Sequence, residues 1–298
     1  MMASSRSAKA TQPSSLSLGQ FPDSLRWCDL RQLPYFLPIY TPPLPYYLLG
    51  SFGTYASFVA FMSNLHALRR LTLHLIDWND SVEPPLIIPS LELEALSLGW
   101  VNGLPTEDII LPLRTSSLTL TSYWPQLSPD WPRCISRYLH HLGDHLQYLR
   151  LKWVPEEHPN RVLRLDFSHS TALKHLHVNR AVRFDILATS SNIDVAPGLE
   201  RLLAIVTAHC RLETIILGVT TGIHVHPIPW TPFAQFAALI DTWQFATVRE
   251  IQFVVYDSAS RSQGSAPCAR EHFESLLSTF LPTRPTRRIV CIDGDPYE

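Results

Sequence analysis

Apolar residues return along the chain in one short phrase, apolar-x-x-apolar-x-apolar. It appears as LRRLTL from Leu68, LEALSL from Leu93, TSSLTL from Thr115, LQYLRL from Leu146, LKHLHV from Leu173, LETIIL from Leu212, VREIQF from Val248 and TRRIVC from Thr286. The fourth and sixth positions are two apart and share one face of a β-strand, so each recurrence predicts a short strand. Positions 1, 4 and 6 are assigned to a core, and positions 3, 5 and 7 to the opposite, exposed face. Successive origins lie 22 to 39 residues apart, too irregular for a strict tandem array. That spacing fits uniform inner strands joined by return segments of varying length.

The apolar period between strands changes from two to between three and four. Residues 131 to 142 place Ile135, Tyr138, Leu139 and Leu142 on one helical face, with Gly143 positioned to end the helix. Residues 198 to 209 align Leu199, Leu202, Leu203 and Val206. Residues 232 to 243 open on Thr231 and Pro232, read as a cap and first-turn pair, and carry Phe233, Phe236, Ala237 and Ile240 inward. Residues 268 to 280 contribute Phe273, Leu276, Leu277 and Phe280. The connections after Leu73 and Leu98 are short and Pro-rich and predict extended or 3₁₀ segments. Strand, return helix, strand implies parallel pairing, because a parallel neighbour needs a crossover long enough to come back. The predicted fold is α/β: an irregular leucine-rich-repeat-like solenoid with a parallel sheet of about eight or nine short strands and return helices on the convex side.

Ahead of the repeats, Leu25, Trp27 and Leu30 suggest a degenerate first strand, and a buried helix is expected over residues 54 to 65. No Asp, Glu, Lys or Arg occurs between Gln32 and Leu68, but prolines and small polar residues interrupt the run, which argues against a membrane span. Residues 1–22, Ser-rich and without acids, read as a disordered tail, and residues 23–298 as one domain. The 25 prolines speak against long uninterrupted helices. A net charge of −2 without a basic stripe argues against a nucleic-acid partner. Cys28, Cys134, Cys210, Cys268 and Cys291 include no C-x-x-C pair and read as free thiols of a reducing compartment.

The stretches LRRLTLHLIDW, LEALSLGW and LQYLRLKWV resemble the leucine-rich-repeat-like regions of fungal F-box-domain proteins, over roughly residues 23 to 293. The resemblance implies a cytoplasmic or nuclear receptor that holds a protein substrate on its solenoid and docks a ubiquitin-ligase adaptor through an F-box. No F-box is visible: Leu33-Pro34 is followed by prolines that break the helices such a module needs. An adaptor is therefore expected only if an F-box is supplied elsewhere.

The exposed positions run from Arg70, Thr72 and His74 through small Ser/Thr-lined rungs to a basic and aromatic middle. Tyr148, Arg150, Lys152, His175 and His177 form the candidate partner-binding patch, since Tyr and Arg are favoured at the centres of interfaces. A protein or peptide on the concave sheet is the expected partner. His141 and His145 beside Asp144, and the pairs His175/His177 and His224/His226, show no spacing that would bring four metal ligands together, so no metal or cofactor is expected. G-x-S-x-G, the phosphate-binding glycine motifs and G-x-G-x-x-G are absent. Cys134, between Arg133 and Arg137, reads as a buried helix cysteine rather than an activated thiol. Trp78, Trp100 and Trp153 read as core closures at strand ends. The expected function is non-enzymatic, with a hydrolase built from loops as the alternative.

Overall fold

A computed structural model describes residues 28–29, 46–52, 68–78, 90–99, 110–121, 131–152, 165–184, 193–196, 198–221, 231–240, 242, 245–256, 269–281 and 288–293. In chain order the elements are β1 (Cys28–Asp29), β2 (Tyr46–Phe52), β3 (Arg70–Trp78), β4 (Leu91–Leu98), β5 (Leu113–Thr121), α1 (Trp131–Leu142), β6 (Tyr148–Lys152), β7 (His175–Phe184), β8 (Ile193–Val195), α2 (Leu199–His209), β9 (Thr214–Thr221), β10 (Thr231–Pro232), α3 (Phe233–Ile240), β11 (Glu250–Tyr256), α4 (Ala269–Phe280) and β12 (Arg288–Asp293). The fold is α/β, built on an open sheet in the order β1-β2-β3-β4-β5-β6-β7-β9-β11-β12. Every adjacent pair on that path is parallel. The path follows chain order and leaves out only the short β8 and β10: β8 pairs antiparallel with β7, and β10 antiparallel with β8.

The phrase and the ladder are in register. The third positions, Arg70, Ala95, Ser117, Tyr148, His175, Thr214, Glu250 and Arg288, are partners across successive strands from β3 to β12. One residue earlier, backbone bonds join the strand entrances: Glu94 N–H to Arg69 O, Lys174 N–H to Gln147 O, Glu213 N–H to Lys174 O and Arg249 N–H to Glu213 O. Equal phrase positions occupy equal heights, so each inward side chain meets its equivalent on the next strand.

Leu71, Leu73, Leu96, Leu98, Leu118, Leu120, Leu149, Leu151, Leu176, Val178, Ile215, Leu217, Ile251 and Phe253, all at positions 4 and 6, are buried in one cluster. Burying each such side chain contributes about 1.5–3 kcal/mol relative to leaving it in water. The helices supply Ile135, Tyr138, Leu139 and Leu142, Leu199, Leu202, Leu203 and Val206, Phe233, Phe236, Ala237 and Ile240, and Phe273 and Leu277 to the same cluster. The helix faces predicted from the apolar period are thus the faces that pack, for every one of those side chains the structure describes. Tyr138 is fully enclosed, and its hydroxyl donates to the Leu113 carbonyl at 2.6 Å, giving this core phenol its partner. Gly143 follows α1 with φ +50, the left-handed turn that a helix end favours.

Four features depart from the sequence expectations. Tyr46–Phe52 is a strand paired with β3, although its apolar residues follow no clean alternation. Strands β4 and β5 begin before their phrases: Leu91 and Leu93, then Leu96 and Leu98, face inward, so the phase slips by one at Glu94–Ala95. Thr231 and Pro232 form β10 against β8 rather than a helix cap; proline suits such a short edge, where its missing N–H is not needed. Helix α3 closes at Ile240, short of residue 243. The expected helix over residues 54–65, the tail, and the connections over residues 79–89 and 100–109 lie outside the described residues. No helix among the described residues is long and apolar enough to cross a membrane.

Candidate interaction face on β6 and β7

The candidate patch is built by two adjacent strands. Tyr148, Arg150 and Lys152 alternate along β6, so all three project to the side away from the helices, and His175 and His177 do the same on β7. Parallel pairing sets Tyr148 opposite His175 and Arg150 opposite His177. The structure therefore brings these sequence-nominated residues onto one continuous surface.

Side-chain contacts run diagonally across it. Tyr148 Oη lies 3.0 Å from His177 Nδ1, and Arg150 Nε donates to Asn179 Oδ1 at 3.2 Å. The rings of Tyr148 and His175 are tilted, with centroids 6.3 Å apart. Each contact links one residue to a neighbour on the next strand or to one two positions further on, the pairs through which adjacent strands couple their side chains.

His177 departs from the exposed position the alternation predicts, because it is only 6% accessible. Burial first, then the positive charges of Arg150 and Lys152, hold its pKa down at about 3, so the imidazole is neutral at physiological pH. Its Nε2 is buried without a hydrogen-bond partner among the described residues. His177 thus acts within the patch as a neutral wall beside a cation rather than as a further positive charge.

The chain leaves the regular ladder immediately after Val178. The pairing of β7 with β9 shifts register between Val178 and Val182, and Arg180 adopts φ +51 inside that bulge. Left-handed backbone is uncommon for a residue with a side chain and persists where its surroundings fix it. Gly218 on β9 supplies the space. A Cβ built there would meet Arg180 N at 2.8 Å, Tyr256 Cε2 at 2.9 Å and Asn179 Cα at 3.0 Å. The bulge therefore rests on the bare face of Gly218, with the Tyr256 ring beside it. It carries Asn179, and through Asn179 it holds Arg150.

Arg180 and the supporting role of Gly218 were not among the sequence-predicted site residues. One signal was present: an interior strand glycine marks a bulge or a close backbone approach, and LETIILG ends in one.

The other candidates are more dispersed. His141 and His145 are exposed near the end of α1, and no three His, Cys, Asp or Glu side chains among the described residues are placed to share a metal ion. His140 instead stacks on His169, with ring centroids 3.7 Å apart. Cys210 and Cys291 are buried free thiols with pKa values pushed up to about 12 by burial, whereas Cys134 is only partly buried. Cys268, His224, His226, Trp100 and Trp153 lie outside the described residues, as do the side chains of Cys28 and Trp78.

No protein-family model matches the chain, and no curated protein is significantly similar to it.

Proposed function

We propose that the protein is a non-enzymatic interaction scaffold, an irregular leucine-rich-repeat-like solenoid that binds a protein or peptide along the side of the sheet opposite its helices. It resembles in this the substrate-binding part of an F-box ubiquitin-ligase receptor. The observation that carries the reading is the shared register of the phrase positions. It converts a sequence repeat into one continuous face whose side chains change from rung to rung while the pairing of its phrase positions does not. Such a face suits recognition of an extended partner, since neighbouring rungs offer different contacts at a constant spacing.

The site on this face is the patch of Tyr148, Arg150, Lys152, His175 and His177. Aromatic and arginine side chains contribute large contact area and directed hydrogen bonds at interface centres. Affinity purification with the wild-type chain and with a Tyr148→Ala, Arg150→Ala, His175→Ala variant tests it. Partner recovery is expected to be lost in the variant, whose melting profile should stay close to wild type. Undiminished recovery would remove the site assignment. A ligase adaptor should co-purify only where an F-box is supplied by another chain or segment.

A further inference from the structure

We infer that the patch on β6 and β7 is a carboxylate seat for an acidic peptide, with Arg150 as its principal contact, Arg180 beside it, and the bulge over Gly218 as the support that fixes both. The inference rests on the scaffold reading and adds the chemistry of the partner.

The charge environment of Arg150 carries the argument. Arg183 has an acid opposite it, Asp194 on β8, where the antiparallel pairing sets the two side by side. At the far edge, Arg288 reaches Glu250 at 3.9 Å. Arg150 has neither arrangement: its register partners are Thr119 on β5 and His177 on β7, the first uncharged and the second held neutral. Its Nε is occupied by Asn179, and among the described residues its two terminal nitrogens have no acceptor.

An arginine held through Nε is a preorganised fork. The remaining N–H groups match the two oxygens of a carboxylate in spacing and plane, and a half-buried position strengthens the pairing relative to open water. Arg180 adds a second, exposed cation from the same bulge. Near-neutral overall charge and the absence of a basic stripe favour a peptide over a polynucleotide, which would need many phosphate contacts rather than one local pair.

Selection from a random linear peptide library on the full chain, followed by fluorescence anisotropy of labelled synthetic peptides, tests the inference. The selected peptides should carry Asp or Glu at one fixed position. Changing that residue to Asn or Gln should weaken binding to the wild-type chain about tenfold, as expected for loss of a charge-assisted bidentate pair. The same change should alter binding to Arg150→Gln less than about twofold, because a coupled pair loses its interaction once. Asn179→Ala, which frees Nε while leaving the charge in place, should weaken acidic peptides and spare their neutral analogues, at an unchanged melting temperature.

Selected peptides without acidic bias, whose binding still depends on Tyr148 and His175, would overturn the carboxylate seat and leave the interaction face standing. A library that yields no binder would overturn the scaffold reading itself. A single-stranded oligonucleotide that binds more tightly than the acidic peptides would overturn the choice of partner class.

Discussion

The two faces of the sheet are made by alternate residues of the same strands, yet they obey different rules. Toward the helices, nearly every rung repeats the same aliphatic pair at positions 4 and 6, because each must fit between two copies of itself. Thr115 is a polar residue at position 1 there, and its hydroxyl is satisfied by the Ser117 carbonyl at 2.9 Å. Toward the open side no such copying is required. The rungs read Arg70, Ala95, Ser117, Tyr148, His175, Thr214, Glu250 and Arg288 at one height, and no two neighbouring rungs carry the same residue. The parallel sheet thus separates its two faces by parity: one stacks, and the other varies.

The sharpest way to break that distinction is to place a charge on the stacking face. Leu149 is 0% accessible, between Leu118 and Leu176. Leu149→Asp should cost on the order of 4 kcal/mol or more, since an ionised carboxylate there has no partner, and denaturant titration or heating should show a strongly destabilised or unfolded chain. A stable variant would contradict the assigned register. The next largest effect belongs to a place where the open face is closely packed. Gly218→Ala puts a methyl against backbone atoms of Arg180 and Asn179, so urea unfolding should show a loss of about 1–3 kcal/mol from forced displacement of the bulge. If the variant keeps wild-type stability, the bulge is not resting on Gly218.

How much of this was legible beforehand follows from the same parity. The strands that carry the phrase, β3 to β7, β9, β11 and β12, and the four described helices are legible because burial forces periodicity onto the sequence, whereas the short β8 and β10 carry no such phrase. The patch residues could be nominated because they fall between core positions. What could not be read is set by departures from the period. Strand β2 alternates poorly in YYLLGSF and gains its place from pairing with Leu71 and Leu73. His177 is flanked across the sheet by Arg150 on β6 and Ile216 on β9, and its ring nitrogen meets Tyr148. Those neighbours are close in space and about 30 to 40 residues away in sequence. Local pattern gives the direction of a side chain, whereas its accessibility is decided by whatever the chain later lays over it.

That difference between direction and accessibility makes His177 a probe of the open face. Folding holds the imidazole neutral down to about pH 3, while in the unfolded chain it titrates near its ordinary value of 6.5. Between those values the unfolded state binds the extra proton, so this residue's contribution lowers stability progressively as pH falls from about 6.5 toward 3. His177→Asn lacks the titrating ring. Urea unfolding at a series of pH values should therefore give a shallower acid loss for the variant than for wild type. Parallel curves would mean that the imidazole is solvated and protonates freely in the folded chain.

The smallest effect tests whether the open face has an electrostatic grain at all. Thr119 lies on β5 directly opposite Arg150 and is only partly buried, so either long charged side chain can be accommodated there. If the rung were merely a solvated surface, Thr119→Lys and Thr119→Glu would both fall within about half a kcal/mol of wild type and of each other. With Arg150 unopposed, the two should separate. Lysine adds a like charge across the strand pair and glutamate supplies the missing partner, a contrast worth about 0.2–1 kcal/mol for each member of the pair. Raising the salt should narrow the gap, because a partly exposed pair is screened over a Debye length of about 8–10 Å. Glutamate at this position would also compete with an acidic peptide for the same guanidinium, so Thr119→Glu should stabilise the fold slightly while weakening peptide binding. Opposite movements of those two quantities, measured on one variant, separate a face that stacks from a face that recognises.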